Sequence, residues 1–145
     1  DAIADDDIDE DYIYTVEVSA QDIDSTELTY NVSVDGNAVA TVDGTTVTID
    51  SDLHYNGDIL VTVGVSDDSD GTDTTSFILT VNPVNDAPIV LIPFNDIEVD
   101  EDSDELIINL IGYFLDVDNA LLSYSLDENI NAFNSFKSIV FCLLE

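Results

Sequence analysis

Positive charge is nearly absent from this sequence. Its 145 residues include a single Lys or Arg against 33 Asp and Glu, which gives a formal net charge of -32 at pH 7. The phosphate backbone of a nucleic acid needs cationic partners, so the composition excludes DNA and RNA binding. An anionic membrane surface would repel the same chain.

Other features are missing as well. The chain has no Met, which predicts that it is a processed or excised product, and its only cysteine, Cys142, cannot form an internal disulfide. The acidic start does not resemble a signal peptide, and no apolar run approaches the length of a membrane span. We therefore expect no disulfide framework and no membrane insertion.

Alternating apolar residues dominate what is present. Hydrophobic residues make up 45% of the chain, which is enough for a core. Period-two stripes predict strands near Ile3, over 12–18 and 28–34, through Val39, and over 47–49, 59–65 and 77–81. About seven strands at this spacing, with no long helical pattern, predict an all-β sandwich before Pro83.

Glycine-containing segments separate these strands. The sequence VDGN at 34–37 and the sequence VDGT at 42–45 each predict a hairpin turn. DDSDGTD at 67–73 predicts the turn between the two longest apolar strands.

The sequence also repeats itself. DEDY at 9–12 resembles DEDS at 100–103, an offset of 91, and DIDSTELTYNVS at 22–33 resembles DVDNALLSYSLD at 116–127, an offset of 94. Two matches in the same order at nearly one offset indicate tandem repeats. We predict a complete repeat over 1–83, a linker over 84–88, and the start of a second, truncated repeat over 89–145.

The second repeat has strand candidates at 89–92, 106–110, 121–126 and 139–144, but it lacks a counterpart of 52–82. The last segment, 129–144, contains no acid. We favour a cut or divergent end as the explanation. The alternative is that strands of another molecule complete this half.

Carboxylates occur in short clusters at the expected strand ends and loops. Two like charges about 4 Å apart repel by roughly 1 kcal/mol even in water, and a dication removes that cost. Calcium takes six to eight oxygen ligands in irregular geometry, which suits clustered Asp and Asn. On composition alone, acidic loops solvated at high salt explain the pattern nearly as well.

A family resemblance favours calcium. VNPVNDAP at 81–88, followed by DEDS and LDVDNALLSYSL, resembles the bacterial cadherin-like and Ig-like tandem repeats of large surface adhesins. The likeness extends to about Leu126. It implies a Greek-key β-sandwich, an extracellular or cell-surface location, and calcium ions at the joint between repeats.

The resemblance also implies ligands. Those expected at the joint are an early Glu, a middle acidic pair, the linker pair and the next repeat's Asp-x-Asp, which fall on Glu10, Asp50, Asp52, Asn85, Asp86, Asp116 and Asp118. Asp52 departs from the family pattern, which has a longer Glu there. A second set, which faces the N-terminal end of the first repeat, consists of Asp22, Asp24 and Asp67.

The expected function is mechanical rather than catalytic. His54, the only histidine, is expected in a loop or at an edge, and the sequence contains no nucleophile motif, phosphate loop or zinc spacing. The expected partners are neighbouring repeats and other copies of the same protein. Two alternatives stay open: a subunit of an extracellular filament completed by strand exchange, and a carbohydrate-binding or enzyme-accessory module.

Overall fold

The structure is a computed structural model that describes residues 3–25, 27–97, 106–125 and 139–142. The chain divides into two compact units, Asp1–Val84 and Asn85–Glu145. The division falls inside the segment predicted as the linker. The described residues contain strands and no helix, which confirms the predicted all-β class.

The first unit contains seven strands arranged in two sheets. They are β1 (Asp6–Asp9), β2 (Ile13–Glu17), β3 (Thr29–Val34), β4 (Ala38–Asp43), β5 (Thr46–Ser51), β6 (Gly57–Ser66) and β7 (Thr72–Asn82). Sheet A has the order β1-β7-β6-β3, and sheet B has the order β2-β5-β4. Every neighbouring pair is antiparallel except β1 and β7, which are parallel.

The core lies between the two sheets. Successive side chains of a strand point to opposite faces, so each period-two stripe delivers one apolar face to the interior. The buried core residues are Val18, Val47, Ile49, Ile59, Val61, Val63, Phe77, Leu79 and Val81. They come from both sheets, which makes the unit a two-layer sandwich.

The connections after β3 and β4 differ in kind. The predicted VDGT turn is confirmed as a hairpin: β4 and β5 pair from Asp43 opposite Thr46, and Gly44 adopts a φ of 60°, which favours glycine. The prediction of a hairpin at VDGN is wrong, because β3 pairs with β6 in sheet A while β4 pairs with β5 in sheet B.

Local hydrogen bonds explain this crossover. The Asp35 N–H donates to the Leu60 carbonyl at 3.3 Å, and the Leu60 N–H donates to Asp35 Oδ1 at 3.0 Å. These bonds hold the end of β3 against β6. Asn37, with a φ of 57°, then turns the chain toward the other sheet. A Gly-containing turn predicts a reversal, but which strand pairs afterwards depends on the sheet that buries the next apolar stripe.

The leading strand lies later than predicted. Ile3 is outside any strand and packs against the core, whereas β1 begins at Asp6. β1 pairs with the last four residues of β7, from Asp6 opposite Leu79 to Asp9 opposite Asn82.

The described residues of the second unit form four short strands: β8 (Ile89–Val90), β9 (Leu106–Asn109), β10 (Phe114–Leu115) and β11 (Ile139–Cys142). β8 pairs antiparallel with β10, and β9 pairs parallel with β11. The predicted strand at 121–126 is wrong for its described part, because residues 121–125 form no strand. The sequence prediction missed β10.

Apolar side chains are poorly covered in the second unit. Among the hydrophobic residues of 85–97 and 107–125, only Leu110 is buried. The side chains that line a cavity of about 320 Å³ are mostly apolar, and they come from Phe94, Ile97, Ile108, Leu110, Phe114, Tyr124 and Ser125. Within the described ranges, no helix is long and apolar enough to cross a membrane.

Candidate functional site

A hydrogen-bonded cluster at the start of the second unit contains four of the predicted ligands. Its members are Asn85, Asp86, Asp116, Asp118 and Asn119, and we call it the Asn-Asp cluster. The Asp86 N–H donates to Asp118 Oδ2 at 2.6 Å. Asn119 Nδ2 donates to Asn85 Oδ1 at 3.3 Å and to Asp116 Oδ1 at 3.2 Å. The linker pair is thus held against the Asp-x-Asp loop.

The loop of the Asn-Asp cluster is shaped by its first acid. Asp116 Oδ1 accepts hydrogen bonds from the Asp118 N–H at 3.0 Å and from the Asn119 N–H at 2.7 Å. A side chain that bonds its own backbone two and three residues on fixes a compact turn. Asp116 is only 9% exposed, which is unusual for a carboxylate.

The same turn occurs in the first unit at the positions matched by the internal repeat. Asp22 Oδ1 accepts hydrogen bonds from the Asp24 N–H at 3.0 Å and from the Ser25 N–H at 2.8 Å. Hydrogen bonds from the Ser25 and Asp24 backbone lower the pKa of Asp22. The offset of 94 between Asp22 and Asp116 therefore relates two loops of like hydrogen bonding.

Asp22 and Asp67 line one polar depression of about 430 Å³, together with Gly71 and Asp73. Asp67 Oδ1 accepts hydrogen bonds from the Ser69 N–H at 2.8 Å and from the Gly71 N–H at 2.7 Å. Two of the three ligands predicted for the N-terminal end of the first unit thus share a surface. Asp24 is exposed and does not line the depression.

Glu10 is buried at the opposite end of the first unit, where β7 ends. Its side chain is 3% exposed. Its Oε1 accepts the Val84 N–H at 2.6 Å, and its own N–H donates to the Asn82 carbonyl at 2.9 Å. Oε2 is shielded from solvent and makes no hydrogen bond to the described residues.

A buried carboxylate oxygen without a partner is costly unless a cation or a proton compensates it. The described residues contain no Lys or Arg, because the only cationic side chain of that kind, Lys137, lies outside them. No Lys or Arg side chain of the described residues compensates the buried Glu10 carboxylate.

Asp11 and His54 form a contact at the same end of the first unit, and the sequence reasoning missed it. The His54 N–H donates to Asp11 Oδ1 at 2.9 Å, and His54 Nδ1 lies 3.4 Å from Asp11 Oδ2. His54 lies in the loop between β5 and β6, with a φ of 58°. The contact fastens this loop to the segment between β1 and β2.

The predicted middle pair is not brought to Glu10 by hydrogen bonds. Asp50 lies in β5 opposite Ile13 and Val39, on the outer face of sheet B, because its neighbour Ile49 points into the core. Asp52 follows β5, and its N–H donates to the Asn37 carbonyl at 2.8 Å. Within the described ranges, neither carboxylate is hydrogen-bonded to Glu10.

Asn119 was not among the predicted ligands, although it contacts both Asn85 and Asp116. The signal was present in the sequence DVDN, where an amide follows the Asp-x-Asp directly. Side-chain amide oxygens are calcium ligands as good in kind as the backbone carbonyls.

The side chains of the Asn-Asp cluster offer one kind of ligand atom. Its three carboxylates and two amides offer only oxygen ligands, and it contains no His or Cys. Oxygen ligands without nitrogen or sulfur suit calcium or magnesium rather than zinc or copper.

Comparison with known proteins assigns no family to this chain. No protein-family model matches the chain, and no curated protein matches it either. The cadherin-like resemblance therefore rests on the motifs quoted above.

Proposed function

We propose that this protein is a calcium-binding structural repeat of an extracellular surface or adhesive protein. Calcium stiffens the connection between its two units and so keeps an array of repeats extended. The observation that carries the proposal is the Asn-Asp cluster, in which Asp118 accepts the N–H of linker residue Asp86 and Asn119 reaches linker residue Asn85.

In each unit, a carboxylate accepts a backbone N–H from a residue close to the division between the units. Glu10 accepts the N–H of Val84, the last residue of the first unit. Asp118 accepts the N–H of Asp86, the second residue of the next unit. Both acceptors are carboxylates, so each is also a group that can bind a cation.

The strand order supports the cadherin-like and Ig-like assignment. The second, fifth and fourth strands form one sheet, and the third, sixth and seventh form the other, with the first strand beside the seventh. Ig-type sandwiches separate the second, fifth and fourth strands from the third, sixth and seventh in the same way, although the constant type places its first strand in the other sheet. A structural repeat of this kind needs no active site.

Calcium titration followed by calorimetry tests the proposal. Extracellular calcium modules bind with dissociation constants of roughly 0.1–1 mM, so about 10 mM calcium should stabilise the folded chain by about 1.4–2.7 kcal/mol. We expect a rise in melting temperature of several degrees that NaCl at the same ionic strength does not reproduce. Equal shifts from both salts would mean that screening alone explains the acidic loops.

The variant Asp118→Ala tests the ligand assignment. We expect it to weaken calcium binding about tenfold or more, and to leave the first unit folded, because Asp118 belongs to the second unit. Asp43→Ala is the matched control: this exposed acid at the end of β4 belongs to none of the predicted ligand sets. Equal calcium affinity in the two variants would refute the role of Asp118.

A second candidate function is a filament subunit completed by strands from another copy. The uncovered apolar residues of the second unit favour it: among its exposed side chains are Ile89, Val90, Leu91, Ile92, Phe94, Ile107 and Leu121. Isolated apolar side chains at a surface are ordinary, but a cavity of about 320 Å³ beside them is not. Electron microscopy in calcium distinguishes filaments from single particles.

A further inference from the structure

The two sheets of the first unit end in four edge strands, and one of them differs from the rest. β1 carries Asp6, Asp7 and Asp9, β2 ends in Glu17, and β4 ends in Asp43. The edge strand β3 (Thr29–Val34) has no charged residue over its six positions. Proteins commonly protect their edge strands with charge, proline or a bulge, and β3 has none of these.

Among the described strands, β3 has a hydrogen-bonded neighbour on one side, and β4 of sheet B lies near it without pairing. β3 pairs only with β6, so alternate N–H and C=O groups point away from sheet A. The nearest acid, Asp35, is turned inward, because its carboxylate accepts the N–H of Leu60.

The outer face of sheet A beside β3 is free of acids as well. Three rows of side chains cross β3, β6 and β7 there, and they consist of Thr29, Asn31, Ser33, Thr62, Gly64, Ser66, Thr72, Thr74 and Ser76. The Asn31 side chain lies over Gly64, and a Cβ added at Gly64 would come within 2.7 Å of the Asn31 amide oxygen. Asn31 therefore occupies space that a larger residue than Gly64 would fill. The Thr62 and Ser76 hydroxyls bond to each other at 3.0 Å.

We propose that the β3 edge is a docking surface for a second copy of this chain. The two β3 strands pair antiparallel about a two-fold axis and extend sheet A across both molecules. This inference goes beyond calcium binding and does not depend on it.

The distribution of negative charge favours contact between two copies at the β3 edge. Two molecules that each carry a net charge of -32 repel one another over most of their surfaces. The β3 edge and its hydroxyl-rich face are a place where they can touch without opposing carboxylates. An antiparallel pairing is isologous, so the same edge serves both partners. Backbone hydrogen bonds supply the attraction, as in other strand additions.

The residual repulsion lies at the two ends of the contact. When Thr29 of one copy faces Val34 of the other, Glu27 of the first copy approaches Asp35 of the second. Screening therefore favours the dimer, since the Debye length falls to about 3 Å in 1 M salt.

Sedimentation equilibrium of the full chain tests the proposal. We expect a monomer–dimer equilibrium that strengthens with NaCl in a chelator, which removes any part played by calcium. The double variant Asn31→Asp with Ser33→Asp adds like charges to β3 of both copies and should raise the dimer dissociation constant about tenfold or more.

Val39→Asp with Thr41→Asp is the matched control, because both residues are exposed and two positions apart on the edge strand β4. It should dimerise like the original chain. Equal effects of the two double variants, or a chain that stays monomeric at about 1 mM in 1 M NaCl, would overturn the proposal. A monomer that binds a neutral polysaccharide through this face would overturn it as well.

Hydrogen exchange of the unmodified chain gives a reading that does not depend on whether the variant folds. The outward amides of β3 should become protected as the protein concentration rises, while those of the β4 edge should not. Protection of β3 that is independent of concentration would contradict docking.

Discussion

Glu10 is a buried acid with one carboxylate oxygen that has no hydrogen-bond partner among the described residues. One of its oxygens holds the Val84 N–H, while the other is buried without a hydrogen-bond partner in the part of the chain described. Glu10→Gln keeps an acceptor for Val84 and removes the buried charge. Breaking a compensated charge is costly, but removing an uncompensated one is not. The effect of the substitution should therefore change sign with calcium.

Without calcium, we expect the melting temperature of Glu10→Gln to equal or exceed that of the original chain. With calcium, the rise in melting temperature should be clearly smaller than in the original chain. Glu17→Gln is the matched control, since Glu17 is exposed and bonds the Thr45 and Thr46 hydroxyls. Calorimetry measures all three proteins, and a calcium response of Glu10→Gln as large as that of Glu17→Gln would exclude Glu10 as a ligand.

Tyr14 should make stability depend on pH in the alkaline range. Burial raises the pKa of Tyr14 from 10.0 to about 12, and Asp6 adds to the rise because its carboxylate accepts the Tyr14 hydroxyl and carries a negative charge. A raised pKa in the folded state means that this contribution to stability is complete below about pH 10 and is lost as the pH rises toward 12.

Ultraviolet absorbance of tyrosinate checks this expectation, with Tyr14→Phe to isolate the signal among the six tyrosines. Asp6→Asn should bring the pKa of Tyr14 down without restoring 10.0, since burial is the largest cause. A Tyr14 pKa that does not respond to Asp6→Asn would show that the hydrogen bond at 3.0 Å is absent in solution.

Among the strands, β6 and β7 contribute most of the core and were also the easiest to predict. The two strands are ten and eleven residues long, and their apolar residues alternate over 59–65 and 77–81. A one-residue slip would expose every core side chain. Leu79 is fully buried, whereas Leu60 is 41% exposed on the outer face. Leu79→Ala should cost about 2–5 kcal/mol of unfolding free energy.

Leu60→Ala is the matched control, with an expected loss within about 0.5 kcal/mol for a surface position. Chemical denaturation of both variants measures the difference. Comparable losses would mean that sheet A packs its other face, contrary to the sandwich described above.

The errors of prediction have a common physical origin. Periodicity predicts a strand and its buried face, but the partner of each strand depends on contacts far along the chain. The VDGN segment predicted a reversal within one sheet, and the bonds of Asp35 to β6 show why the chain changes sheet instead. The β10 strand has only two residues, too few for any periodic signal.

The candidate site likewise combines local contacts with contacts between residues far apart in the chain. The turns at Asp22 and Asp116 are local, because each carboxylate bonds N–H groups two and three residues ahead, and the Asp-x-Asp pattern predicts them. The convergence of Asp86 on Asp118 spans 32 residues, and only the family resemblance pointed to it. The same resemblance predicted Asp50 as a ligand, but side chains alternate along β5, and this places Asp50 on the outer face of sheet B.

Considered as a whole, the molecule combines a complete sandwich with a second unit that covers its apolar residues poorly. The repeat explains the difference: the first unit owes its core largely to β6 and β7, and the second has no counterpart of residues 52–82. β11 is paired with β9 in parallel, whereas β5, its nearest counterpart by the offset of 94, pairs antiparallel with β2. One edge of β9 is thus covered by a parallel pairing, whereas the corresponding pairing in the first unit is antiparallel.

Deleting residues 129–145 removes β11 and shows what that pairing does. If β11 shields β9 within one molecule, the deletion exposes the backbone edge of Leu106–Asn109 and should increase self-association. If instead the segment reaches into another copy, as the filament alternative requires, the deletion should lower the mass. Light scattering in calcium distinguishes the two results, and the Asn31→Asp with Ser33→Asp background removes the contribution of β3. An unchanged mass would contradict both roles for the tail and leave the second unit stabilised by its aromatic contacts, where Phe94 stacks on Tyr113 at 4.4 Å.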